Sequence, residues 1–370
     1  KMSLDIVVGL QYGDEGKGKI VNYLASNNNY DYCIRYNGGP NAGHTIYIST
    51  EDSEASEDSE HTDALLKIVT HQVPSGIVYD CKCIIGDNCY VDLGKLKTEI
   101  DELNKNGITT DNKLFISSRC NLITELHKEW DSKEQLIGTT KSGIGPCAVD
   151  KYNRTGIRVT REELDKYGLT NVGLIDTADT IRHFIEENNE LPDILVEGAQ
   201  GFGLDINHGD YPYVTSSHCI STDCANIGIP LIQYVKADSF IIYGIAKIYE
   251  TYVGIKKFQP ENDEILTKIQ ILGNEYGATT ARKRQCNYLD LSLLIKSIYI
   301  NQATKVVINK CDILIDPELK GNCYKLYYKD KLHSFDNLIQ MQVFIESKII
   351  GHIPYINKGD ILLSYSPNEL

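Results

Sequence analysis

The chain lacks several features that would point to other kinds of protein. No apolar run approaches the roughly 20 residues a helix needs to cross a bilayer, so no membrane-spanning segment is predicted. No charged N-terminal stretch leads into a long apolar core, so no secretory signal is expected. There is no C-x-x-C pair, the 11 cysteines are scattered, and Cys81 and Cys83 sit too close together for an ordinary zinc knuckle. This usage predicts reduced thiols in a cytoplasmic protein. Cations are also scarce: Lys plus Arg number 37 against 51 Asp plus Glu, a formal net charge of −14. A nucleic-acid-binding surface needs an excess of cations facing phosphate, so that class is excluded, whereas a small cationic nucleotide site is not. Neither an internal repeat nor a Pro-rich linker interrupts the chain, so a single domain over 1–370 is expected.

What is present is ordinary globular material, 42% hydrophobic and 24% charged, with enough length for a large core. Leu4-Asp5-Ile6-Val7-Val8 is a β-branched run ending in Gly9, suited to a buried parallel strand. A Gly-rich charged loop follows, then Ile20-Val21-Asn22-Tyr23-Leu24 with helical spacing. Asp31 to Tyr36 reads as a second strand, and Ile194 to Val196, Phe240 to Ile245 and Lys305 to Ile308 as further ones. Helical stretches over 177–188 and 288–300 alternate with them. The alternation predicts an α/β fold: one large domain with a mainly parallel central sheet flanked by helices. Residues 51–60, acid and serine with one alanine, cannot bury surface, so a mobile acidic insertion is expected at about 50–63.

Three motifs carry chemistry. Gly13-Asp14-Glu15-Gly16-Lys17-Gly18-Lys19 follows the first strand and satisfies G-x-x-x-x-G-K. Glycines let backbone N–H groups approach phosphate, and a helix N-terminus adds positive potential. Ile20 stands where an ordinary phosphate loop has the Ser or Thr that binds Mg²⁺, so another ligand is needed, and Asp14 is the obvious supplier. Asn309-Lys310-Cys311-Asp312 is an N-K-x-D element; its carboxylate can accept from guanine N1–H and the exocyclic amine, an arrangement adenine does not offer. Thr279-Thr280-Ala281-Arg282-Lys283-Arg284 places three cations after two hydroxyls, a composition suited to carboxylates and phosphates.

These residues resemble the adenylosuccinate synthetase family. Gln11 to Lys19 is similar to its signature QWGDEGKGK, and Asn41-Ala42-Gly43-His44-Thr45 to its second loop. Ile137-Gly138-Thr139-Thr140, Gly143-Ile144-Gly145-Pro146, Glu197-Gly198-Ala199-Gln200-Gly201 and Asp205 through Ser217 follow in the same order. The resemblance implies a ligase using GTP, IMP and L-aspartate with Mg²⁺. It implies Asp14 as base at purine N1 and Mg²⁺ ligand, His44 as general acid at the β-phosphate, and the Gly43 carbonyl as a second Mg²⁺ contact. IMP would be held by Asn41, Thr140, Gln200, Thr215 and Arg282, and by Arg154 from a neighbouring subunit, which implies a homodimer. Aspartate would meet Thr279, Thr280 and Arg282. GTP would meet Gly13, Glu15, Gly16, Lys17, Gly18, Lys19, Gly43, Thr45 and Arg284, with Lys310, Asp312 and Ser364 around guanine.

The chain departs from the family pattern at Tyr12 for tryptophan, at Ala281 and Lys283, at Gly254-Ile255-Lys256-Lys257-Phe258, and at Ser364-Tyr365-Ser366-Pro367. Two other readings compete. A relative acting on dGMP to give 2-aminodeoxyadenylosuccinate typically carries serine at the position of Asp14. A GTP-binding switch protein would need Ser or Thr after Lys19, and would leave Gln200, Thr215 and the 279–284 cluster without a role.

Overall fold

The computed structural model describes residues 2–49, 65–277 and 282–366. Its centre is a nine-stranded sheet whose strands, numbered along the chain, are β1 (Leu4–Gly9), β2 (Tyr32–Arg35), β3 (Lys82–Ile85), β4 (Leu114–Ser117), β5 (Gly173–Ile175), β6 (Ile194–Glu197), β7 (Phe240–Lys247), β8 (Lys305–Asn309) and β9 (Ile361–Leu363). The order across the sheet is β9-β8-β7-β1-β6-β2-β3-β4-β5, and every neighbouring pair is parallel. The expectation of a mainly parallel sheet therefore holds throughout this sheet.

The sequence of β1 explains its place. All six of its residues are buried. Ile6 and Val8 pack into one apolar layer with Ile34, Ile194 and Val196, while Val7 packs into the opposite layer with Cys33, Leu195 and Ile245. A strand covered on both faces reads as a continuous apolar run, without the alternation of a half-exposed strand. The neighbours of β1 are β6 and β7, both supplied much later in the chain. Loops leaving the C-terminal ends of β1, β2 and β6 therefore meet over one edge, where open parallel sheets bind ligands.

A smaller sheet joins Tyr249–Tyr252, Gln285–Asp290, Lys325–Tyr328 and Lys331–Ser334 in that order. It corrects the helix expected over 288–300, which runs from Leu291 to Asn301. Tyr288 and Leu289 belong to the preceding strand, and Asp290 caps the helix by accepting from the Leu293 N–H at 3.0 Å. His44–Ser49 and Leu65–Thr70 pair antiparallel. The acidic insertion expected between them, at about 50–63, lies outside the described residues. All 11 cysteines are free and buried. Among the described residues, no helix is long and apolar enough to cross a membrane.

The strand Tyr249–Tyr252 carries a buried acid. Glu250 is 3% exposed, and its Oε1 has no hydrogen-bond partner. Burial, with Asp290 nearby, pushes its carboxyl well above the usual carboxylate range. Such a group binds its proton more tightly folded than unfolded. Its stabilising share is complete below the unfolded pKa of about 4.3 and is lost as pH rises toward the folded value. Glu250→Gln keeps the size and cannot ionise. The expected outcome is that the variant's melting temperature, relative to the parent chain, climbs as pH rises from about 5 to about 8, whereas a constant difference would refute a neutral Glu250.

Candidate active site

Beyond Gly9 the chain turns through residues 10–16 into the helix Lys17–Asn27. Gly13, Asp14 and Gly16 adopt positive φ of 86°, 59° and 94°. Glu15 supplies the force that curls the loop. Its side chain is buried and accepts from the Gln11 N–H at 3.2 Å, the Gly13 N–H at 2.9 Å and Lys17 Nζ at 2.6 Å. Gly9 makes room for it, since a Cβ there would lie 2.5 Å from Glu15 Oε2. Lys17 also donates to the Gln200 carbonyl at 2.5 Å. From β8, Asn309 Nδ2 donates to the Glu15 carbonyl at 2.8 Å. The loop is thus fixed before any ligand arrives, with a helix N-terminus at its end.

A cleft of about 630 Å³ opens above it. Of the residues singled out from sequence, Gly13, Asp14, Gly16, Lys17, Gly18 and Lys19 line it, together with Asn41, Gly43, His44 and Thr45. Thr140, Gln200, Thr215, Arg282 and Arg284 complete the same cleft. Gln200, at φ 58°, donates to Asn41 Oδ1 at 3.2 Å, and its own Oε1 is buried without a partner. A buried amide oxygen left unmatched carries a desolvation cost that a ligand donor can relieve.

Other expected residues lie elsewhere. Glu15 faces the loop interior and does not line the cleft. Lys310, Asp312 and Ser364 sit beside the cleft, past the end of β8 and β9. Lys310 Nζ donates to the Gly273 carbonyl at 3.0 Å, and Ser364 Oγ accepts from Lys19 Nζ at 2.5 Å. The Asp312 carboxylate accepts no hydrogen bond among the described residues. Arg154 ends the helix Ile144–Asn153 at φ 65°, exposed and away from the cleft of its own chain. Thr279 and Thr280 lie outside the described residues.

Two charged clusters support the lining. Arg284 pairs with Asp14 at 2.9 Å and with Glu275 at 2.6 Å. Glu275 is fully buried and also meets Lys247 at 3.3 Å and the Tyr249 hydroxyl at 2.7 Å. Burial opposes its ionisation, yet the Lys247 and Arg284 cations hold its carboxyl down at about 2. The second cluster surrounds His44, which burial and the Arg35 cation lower to about 4 while Glu197 pulls the other way. His44 is therefore neutral at pH 7 without ligand.

Sequence reasoning gave no role to Arg35, Glu197, Glu275 or Trp130. Arg35 and Glu197 left one signal: each is a charge closing an otherwise apolar buried strand. Trp130 and Asp131 line the cleft from the helix Glu125–Ser132, which has no distinctive motif, and Glu134 lines it from just past the helix end. Asp131 accepts from Thr139 Oγ1 at 2.6 Å and the Gly143 N–H at 2.7 Å, and Glu134 from the Ile137 N–H at 2.8 Å. These bonds hold the wall that carries Thr140.

Trp130 is the single tryptophan and is 53% exposed at the cleft. Adding GTP with IMP is expected to reduce quenching of its fluorescence by acrylamide. Unchanged quenching, with both nucleotides shown to bind, would place the ligands elsewhere.

Comparison with known proteins agrees with this geometry. The family profile described as adenylosuccinate synthetase matches residues 6–167 and 161–342. An adenylosuccinate synthetase of Thermodesulfovibrio yellowstonii is 36% identical over 92% of this chain and 85% of its own length. One of Syntrophomonas wolfei is 37% identical over 90% and 82%. The fully ligated adenylosuccinate synthetase of Plasmodium falciparum superposes with a TM-score of 0.75 at 24% identity, covering 100% of this chain and 98% of that one. The succinoaminodeoxyadenylate synthetase of cyanophage S-2L, bound to dGMP and dATP, gives 0.71 at 19% identity, covering 99% and 93%. These last two share the fold. With its profile match and its relatives above one-third identity, the chain belongs to the adenylosuccinate synthetase family.

Proposed function

We propose that this chain joins L-aspartate to IMP with GTP as phosphoryl donor, through 6-phosphoryl-IMP, to give adenylosuccinate, GDP and phosphate. One observation carries the reading: the phosphate loop, the 41–45 segment, Thr140, Gln200, Thr215, Arg282 and Arg284 all line a single cleft. A guanine-binding switch would need only the first of these and the N-K-x-D element.

The chemistry assigns roles. Removal of the N1 proton makes O6 the better nucleophile, and Asp14 is the carboxylate in the loop that meets the base. Its ion pair with Arg284 orients it. Gln200, with its unmatched amide oxygen, and Asn41 suit the purine and its ribose phosphate, with Thr140 and Thr215 lining the same cleft. Arg282, with Thr279 and Thr280, suits the carboxylates of aspartate. Asp312, free of hydrogen bonds among the described residues, suits the two guanine donors, with Lys310 and Ser364 beside it.

Mg²⁺ usually takes one or two protein ligands and fills its remaining positions with phosphate and water. The Asp14 carboxylate, one-third exposed beside the phosphate loop, fits that habit, with the Gly43 carbonyl as second contact. When bound, the ion offsets the charge on the β- and γ-phosphates. His44 lines the cleft beside Gly18 of the loop, and anionic phosphate favours its protonated form, able to donate to the departing β-phosphate. Arg154, exposed and not part of its own cleft's lining, suits the IMP phosphate of a second subunit in a homodimer.

Incubation with aspartate, Mg²⁺ and either GTP or ATP, offering IMP, dIMP, GMP and dGMP separately, tests the reading. IMP with GTP is the expected pair; turnover of dGMP with ATP alone would transfer the chain to the other substrate class. Asp14→Asn is expected to lower turnover about 10²–10⁴-fold with nucleotides still bound. A near-normal rate would remove Asp14 from its role.

The shared site has its own test. Arg154→Ala and Asp14→Asn variants, each impaired alone, are expected to regain activity on mixing, because hybrid dimers contain one site free of both changes. Subunit exchange without any recovery would refute the sharing of Arg154.

A further inference from the structure

We infer that Glu197 is a positioning residue for His44: its carboxylate fixes the proton on His44 Nδ1 and leaves Nε2 for the ligand. The inference deepens the proposed reaction and rests on the His44 role assigned there.

Glu197 ends β6, and its register partner on the adjacent parallel strand is Arg35, the end of β2. The register alone puts a cation beside an anion at the cleft edge of the sheet. Both are almost fully buried, at 0% and 1% exposure. Glu197 Oε1 accepts from Arg35 Nη2 at 3.1 Å and from Ser75 Oγ at 2.6 Å, and it lies against His44 Nδ1. Oε2 accepts from the Ser75 N–H at 2.7 Å. Backbone, hydroxyl and guanidinium donors thus converge on one carboxylate, which keeps it ionised in spite of burial.

Two groups compete for His44 Nδ1. Arg35 Nη2 lies 2.9 Å away and could donate to a bare nitrogen; the Glu197 carboxylate can only accept. A bare Nδ1 would set its lone pair against an ionised oxygen. A proton on Nδ1 removes that repulsion, and Arg35 Nη2 keeps Glu197 Oε1 as its acceptor. Nε2 makes no hydrogen bond to any described residue, and His44 lines the cleft. The ring is gripped from behind on one nitrogen and presents the other, as carboxylates orient histidines elsewhere. Ser75 holds Glu197 from a separate segment, Ser75–Val78, so the grip does not depend on the sheet alone.

The test uses the full chain labelled with ¹⁵N-histidine. His44 is assigned among the 9 histidines by the loss of its signals in H44N. In the unliganded wild type, ¹⁵N shifts and couplings are expected to show a proton on Nδ1; a bare Nδ1 with the proton on Nε2 overturns the inference, whatever the enzyme's substrates prove to be. Glu197→Gln removes the charge at nearly constant volume. It is expected to lose the Nδ1-protonated signature and to lower kcat about 10²–10⁴-fold, with KM values for IMP and GTP changed far less. Glu197→Asp, which restores the charge, is expected to recover part of both. A folded Glu197→Gln chain with wild-type kcat and tautomer overturns the inference. Where that variant does not fold, Ser75→Ala takes its place: it removes one donor to the carboxylate, and the inference stands if Nδ1 keeps its proton and falls if the proton moves to Nε2.

Discussion

A buried carboxylate in the first loop holds the site together. Glu15 pulls the Gln11 and Gly13 amides and the Lys17 ammonium toward one point, and the loop closes around it. Without that anion the two glycines and Asp14 would have little reason to hold left-handed backbone, which costs energy at a non-glycine residue such as Asp14. Lys17 carries the constraint to Gln200, and Asn309 anchors its other side. Everything that meets a nucleotide in this cleft is placed relative to that point.

The same logic recurs along the sheet. Two pairs of neighbouring strands, one on either side of β1, end in polar residues that are nearly inaccessible to solvent: Arg35 on β2 and Glu197 on β6, and Lys247 on β7 and Asn309 on β8. Burying a charge without a partner costs several kcal/mol or more, so each is matched. Arg35 meets Glu197, and Lys247 meets Glu275. Parallel strands bring these groups to one edge, and their pairing supports His44 through Glu197 and Asp14 through Arg284. The apolar sheet is thus a frame with a polar rim.

Much of this was legible in the sequence, for identifiable reasons. β1 and the loop after it are local: a β-branched run, then glycines and lysines at fixed spacing. The 41–45 and 197–201 segments were visible through motif resemblance. The strand over 285–290 was misread in part as helix, because Tyr288-Leu289 continues the apolar spacing of the helix that follows; the capping carboxylate of Asp290 marks the true boundary. The partners of Glu197 and Glu275 were invisible because they are far apart in sequence: Arg35 is 162 residues from Glu197, and Lys247 is 28 from Glu275. Glu15 matched a signature position, but no spacing rule reveals that its carboxylate turns inward.

The bond from Asn309 Nδ2 to the Glu15 carbonyl joins the N-K-x-D element to the glycine-rich loop after β1. Two segments 294 residues apart are therefore tethered through a single side-chain amide. A substitution at Asn309 is felt in the loop after β1, whereas Lys310 donates elsewhere, to the Gly273 carbonyl. The tetrapeptide is one unit in sequence, but its first residue is bound into the architecture of a loop at the other end of the chain.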